Sequence, residues 1–134
     1  MPYAGDPVIA LLFALAFASQ VDVDCAPVLG KWTGTGHQPG FGTWDIDWRL
    51  DRCGASDHPI GTVRYPTLDC GGTLHWVGME NDVFVVEERV FGGTCAPRGL
   101  VRLRVAEDGQ LDWSWYWSDG SLGATSVLTR ATGD

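Results

Sequence analysis

Basic residues are scarce. The 134-residue chain has nine Lys and Arg against seventeen Asp and Glu, a formal charge of −8. Eight of the nine are Arg, and they are scattered along the chain. Nucleic-acid binding needs clustered cations on the phosphates, so that class is excluded. No polybasic run would hold an anionic lipid surface. C-x-x-C is missing, which removes the usual zinc knuckle. Gly-x-Ser-x-Gly and phosphate-cradling loops are missing too. After residue 20 no stretch carries a persuasive 3.6-residue apolar period, so helices are not expected there.

What is present is tryptophan, glycine and short alternation. The chain has seven Trp and eighteen Gly. In Leu111-Asp112-Trp113-Ser114-Trp115-Tyr116-Trp117 the apolar residues fall on every second position. Period two over seven residues predicts a half-buried strand. Three indoles on one face are too much apolar area for water, so they wall a core or a pocket. A second clean case is 43–51. Trp44, Ile46, Trp48 and Leu50 share one face, and Asp45, Asp47, Arg49 and Asp51 share the other.

Read in order, the chain predicts eight strands: 31–36, 43–51, 60–65, 71–79, 83–91, 100–106, 111–117 and 124–130. Turn signals separate them, including Asn81-Asp82, Asp108-Gly109 as a two-residue hairpin, and Asp119-Gly120. Eight short strands on short connections suggest an antiparallel meander. Closing it removes both sheet edges and leaves an interior wide enough for side chains or one small ligand. The expected fold is therefore all-β, a single eight-stranded antiparallel up-and-down barrel. A two-sheet sandwich is the alternative.

Residues 8–18 form a continuous apolar run, too short to span a bilayer. Ala16, Ala18 and Ser19 suit cleavage by a signal peptidase, so 1–20 is read as a signal peptide. The segment before the run has no Lys or Arg and carries Asp6. A buried N-terminal helix is the competing reading. Val-Asp-Val-Asp ahead of Cys25 disfavours a lipid anchor, so no stable membrane anchor is expected. The remaining divisions are an arm over 21–28, the barrel over 29–130 and a tail over 131–134. Export implies a secreted, periplasmic or cell-surface location.

That location makes four Cys an expected pair of disulfides with three connectivities. The meander chooses among them. Cys25 precedes strand one and Cys53 ends strand two, which are neighbouring points in an antiparallel pair. Cys70 opens strand four and Cys95 follows strand five, again neighbours. The expected bridges are 25–53 and 70–95, one at each end of the barrel.

Leu29-Gly30-Lys31-Trp32 resembles the Gly-x-Trp opening of lipocalins, avidins and other calycin barrels. The segments 60–74, Glu88-Arg89-Val90 and Leu111-Asp-Trp-Ser-Trp115 resemble a group of small exported bacterial domains, largely uncharacterised. Some of these are extracytoplasmic parts of larger proteins. The likeness covers about residues 29–130. It implies a calycin-like barrel and export, and it implies no reaction.

In such a barrel the open mouth is bordered by 37–42, 66–71, 92–98 and 118–123. The inward residues nearest it are Trp44, Tyr65, Glu88, Trp115 and Trp117, which form the candidate ligand site. By alternation Glu88 shares the apolar face of Phe84, Val86 and Val90. A carboxyl there needs a partner or loses its charge. It either bonds within the fold, to Tyr65 or an indole N–H, or anchors a cationic or hydroxyl-rich ligand in an aromatic box. A bulge would instead bring Glu87 inward. Trp32, Trp44, Trp48, Trp76, Trp113, Trp115 and Trp117, all read as inward, would nearly fill the interior. The expectation is a packed core with at most a shallow cleft at the mouth.

His37, His58 and His75 fall on separate loops or faces, so no metal is expected. No cofactor is expected. Glu87 and Glu88 point to opposite faces and cannot act as a glycosidase pair. The functional expectation is a secreted, non-enzymatic, monomeric binding barrel for a small molecule or an extracellular partner. The alternative is a protein-interaction module such as a small β-barrel protease inhibitor.

Overall fold

The computed structural model describes residues 24–131. The expected signal peptide over 1–20 lies outside the described residues, as does most of the tail. A short 3-10 turn, Ala26–Val28, leads into eight strands: β1 (Gly30–Gln38), β2 (Gly42–Leu50), β3 (Gly61–Tyr65), β4 (Cys70–Glu80), β5 (Val83–Phe91), β6 (Arg98–Val105), β7 (Leu111–Tyr116) and β8 (Leu122–Arg130). Each strand pairs antiparallel with the next, and β8 returns to β1 through Trp32↔Arg130, Thr33↔Thr129 and His37↔Thr125. The sheet is a closed barrel, not a two-sheet sandwich.

Period-two sequence explains the lining. On β2, Trp44, Ile46, Trp48 and Leu50 are buried, and the residues between them are exposed. Trp32 stands opposite Trp48 in the ladder, and both are buried with Trp113 at the centre of the core. Fully burying each such aromatic contributes roughly 2–3 kcal/mol. Both disulfides have the expected pairing, Cys25–Cys53 and Cys70–Cys95, each with a Cα separation of 6.3 Å. The first ties the entry of β1 to the exit of β2. The second ties the start of β4 to the β5–β6 loop, at the opposite end.

Three details differ from the sequence reading. The β6–β7 connection is not a two-residue hairpin. Gly109 N–H donates to Ala106 O, Ala106 N–H donates to Gln110 O, and Gly109 has φ 87°. That is a three-residue loop, in which glycine takes the left-handed position. The β7–β8 connection repeats it, with Gly120 N–H on Trp117 O and Trp117 N–H on Ser121 O. β7 therefore ends at Tyr116 and β8 begins at Leu122, two residues earlier than expected. On β4 an extra residue enters the ladder between Trp76 and Gly78. Such a bulge disturbs the alternation. Trp76 is only half-buried; it packs against the edge of the core, 6.4 Å from Phe84.

At the end where β1 begins, the chain closes over the barrel. The Trp32 indole N–H donates to Val28 O at 3.0 Å. The Arg130 guanidinium lies 4.3 Å from the Trp32 ring centroid and donates to Leu29 O and Pro27 O. This end is capped by its own chain, and the candidate site lies at the other end.

Candidate functional site

A cavity of about 140 Å³ opens at the end bordered by the β1–β2, β3–β4, β5–β6 and β7–β8 connections. Trp44, Tyr65, Glu88, Trp115 and Trp117 all line it. Phe41, Thr94, Cys95 and Trp113 complete most of the wall.

Glu88 is at its floor. Register sets this: on β5, Glu88 faces Leu74 of β4 on one side and Gly99 of β6 on the other. It is 2 % exposed, the one buried charged residue among the described residues. The Tyr65 hydroxyl donates to Glu88 Oε2 at 2.5 Å, and the Trp115 indole N–H donates to Oε1 at 3.2 Å. The internal partners weighed from sequence are thus both present. The bulge that would have turned Glu87 inward does not occur. Glu87 lies outside, against Arg89 at 2.8 Å and Arg98 at 3.6 Å.

Burial pushes the Glu88 carboxyl up to about 7. The bonds from Tyr65 and Trp115 oppose that shift without cancelling it. The Trp48 indole N–H is close enough to favour the ionised form, in a geometry too poor to count as a hydrogen bond. Burial, and then the neighbouring Glu88 charge, push the Tyr65 phenol well above its ordinary value. Tyr65 therefore stays a donor at any ordinary pH. The buried indole N–H groups of Trp44, Trp48 and Trp113 find no acceptor among the described residues.

The walls are aromatic and mutually edge-packed. Trp44 meets Tyr65 at 6.1 Å and 86°, and Phe41 meets Trp44 at 6.0 Å and 75°. Trp117 stands on Trp115 at 4.6 Å and 85°. Trp117 follows the last residue of β7 and is 39 % exposed, so it is a rim residue and not core.

Sequence reading missed how glycine makes room for these rings. A Cβ on Gly99 would lie 2.2 Å from the Trp115 ring, and one on Gly36 would lie 2.7 Å from the Trp44 ring. One on Gly123 would lie 2.7 Å from Trp117 Nε1 and 2.8 Å from the Trp115 ring. The signal was available: Gly36 and Gly99 break runs of side chains that otherwise alternate.

A second missed feature is the collar. Phe41, Phe91, Leu100, Trp117 and Leu122 are exposed large apolar side chains, and all five fall at strand ends or loops of the mouth. Val77 and Met79 lie toward the opposite end. Among the described residues no three His, Cys, Asp or Glu side chains are grouped to hold a metal, and no helix is long and apolar enough to cross a membrane. No protein-family model and no curated protein matches the chain.

Proposed function

We propose that this chain is a calycin-like, extracytoplasmic binding barrel that takes up a small molecule at its mouth without chemical conversion. The observation that carries the reading is the aromatic cavity over Glu88. It combines apolar walls with one oriented polar group, the usual composition of a small-ligand site. The Glu88 carboxyl is held by two donors, an arrangement suited to fixing a charge in place. Gly30-Lys31-Trp32 opening the first strand of a closed barrel supports the calycin likeness. Two disulfides support an oxidising, extracytoplasmic compartment.

The test is a panel of small amines, alcohols, carboxylates and sugars, read by intrinsic Trp emission and by ligand-observed NMR. At least one class is expected to change the emission. Trp117→Ala should weaken it about 3–10-fold, the value of one aromatic contact, with little loss of stability because the ring is on the rim. A panel that leaves Trp emission unchanged up to millimolar concentration would sink the reading.

The apolar collar favours a second reading, a protein-interaction module such as a small protease inhibitor. Exposed apolar side chains gathered at one end of a fold are a common mark of a partner contact. Retention of a protein from culture medium, lost on Phe91→Ser with Leu122→Ser, would favour it over the first.

A further inference from the structure

Among the described residues Glu88 has no counter-ion. The ion pairs among the described residues are Arg49–Asp51, Arg89–Glu87, Arg98–Glu87 and Arg102–Glu80, and none involves it. The elements packed against it present Trp48 from β2, Tyr65 from β3, Leu74 from β4, Gly99 from β6 and Trp115 from β7. Tyr65 is the single titratable side chain among them, and it is neutral. A carboxylate has about four acceptor positions, and Tyr65 and Trp115 fill two. Glu88 keeps two hydrogen bonds inside the fold but meets no opposite charge, so its ionised form, facing the cavity, gains from a cation placed there.

The walls restrict what that partner is. Calcium and magnesium want about six or more oxygen ligands and zinc about four ligands, and the cavity offers one carboxylate. Indole faces instead attract weakly hydrated organic cations. The chain's charge of −8 draws cations toward it over a longer range. A volume near 140 Å³ is below the 300–1,000 Å³ or so of drug-sized sites, so a headgroup fits and the remainder must pass the rim.

We infer, resting on the binding reading above, that the mouth takes a small organic ammonium ion: Glu88 neutralises its charge while Trp44, Trp115 and Trp117 pack on its carbon substituents. Any longer tail lies over Phe41 and the apolar collar. Binding favours the ionised carboxyl, so the bound cation pulls the Glu88 proton off, and affinity rises as pH passes upward through about 7.

The probe is choline, compared with its neutral carbon isostere, dimethylbutanol, by titration calorimetry at pH values near 5.5 and 8.5. Choline carries a charge that does not titrate, so any pH dependence belongs to the protein. Choline is expected to bind about tenfold or more tighter than the alcohol at the higher pH, with the advantage shrinking at the lower. Glu88→Gln should reduce choline to the level of the alcohol. If that variant does not fold, the pH series on the unaltered protein decides alone. Equal binding of the two, a choline affinity flat with pH, or no binding of either would overturn the inference. The binding reading then still stands if another member of the panel binds at the mouth, and goes too if none does.

Discussion

The Trp115 indole occupies the space that a side chain on Gly99 would fill. A Cβ built on that glycine lies 2.2 Å from the ring, and Gly99 faces Glu88 directly across the β5–β6 ladder. One missing side chain thus positions the ring that donates to the buried carboxyl.

Gly99→Ala is therefore expected to cost about 1–3 kcal/mol by overpacking, measured by denaturant unfolding. It should also push Trp115 off Oε1 and raise the Glu88 pKa further, which carboxyl carbon NMR reads. Gly78→Ala is the control, because no atom lies within 4 Å of its added methyl. A Gly99→Ala protein as stable as the Gly78→Ala control would refute the packing account.

Glu88 makes stability depend on pH in an unusual direction. Its folded pKa is about 7 against an ordinary 4.5, so the native state holds a proton that the unfolded chain has released. Stability from this group is full below about pH 4.5, falls as pH rises toward 7 and is lost above it. The span corresponds to about 3 kcal/mol. Paired unfolding measurements on the original protein and Glu88→Gln should show the variant gaining relative stability from pH 5 to 8. A difference that stays flat would remove the raised pKa.

The base of the barrel gives a third test. Arg130 stacks on Trp32 and donates to two carbonyls, Leu29 O and Pro27 O. Arg130→Ala should lose about 1–3 kcal/mol. Arg130→Lys should not restore it, because an ammonium lacks the planar fork that reaches both carbonyls. Thermal unfolding of the three proteins separates these outcomes, and a full rescue by Lys would discard the fork.

Alternation made much of this legible in advance. Trp44, Ile46, Trp48 and Leu50 face inward because β2 runs straight through its register. The same logic turned Glu88 inward, and the order of strands in a meander paired the cysteines. It failed where the register slips. An extra residue enters β4 between Trp76 and Gly78, where Trp76 is only half-buried, and the β7–β8 ladder shifts between Trp115 and Tyr116. Sequence periodicity counts residues along a strand and does not show which one the ladder leaves unpaired. The collar was invisible for a related reason. Phe41, Phe91 and Leu122 are isolated apolar residues in separate segments, and only closure of the barrel gathers them at one end.

Taken alone, the order of residues determined the strand count, the inward face of the regular strands, the disulfide partners and the odd position of one carboxyl. These depend on local period and on neighbouring strands in sequence. Tertiary structure decided that the sheet closes on itself, that Tyr65 and Trp115 from distant strands meet on Glu88, and that glycines leave the space for their rings. Those depend on distances between strands far apart in the chain, which are set only when β8 reaches β1.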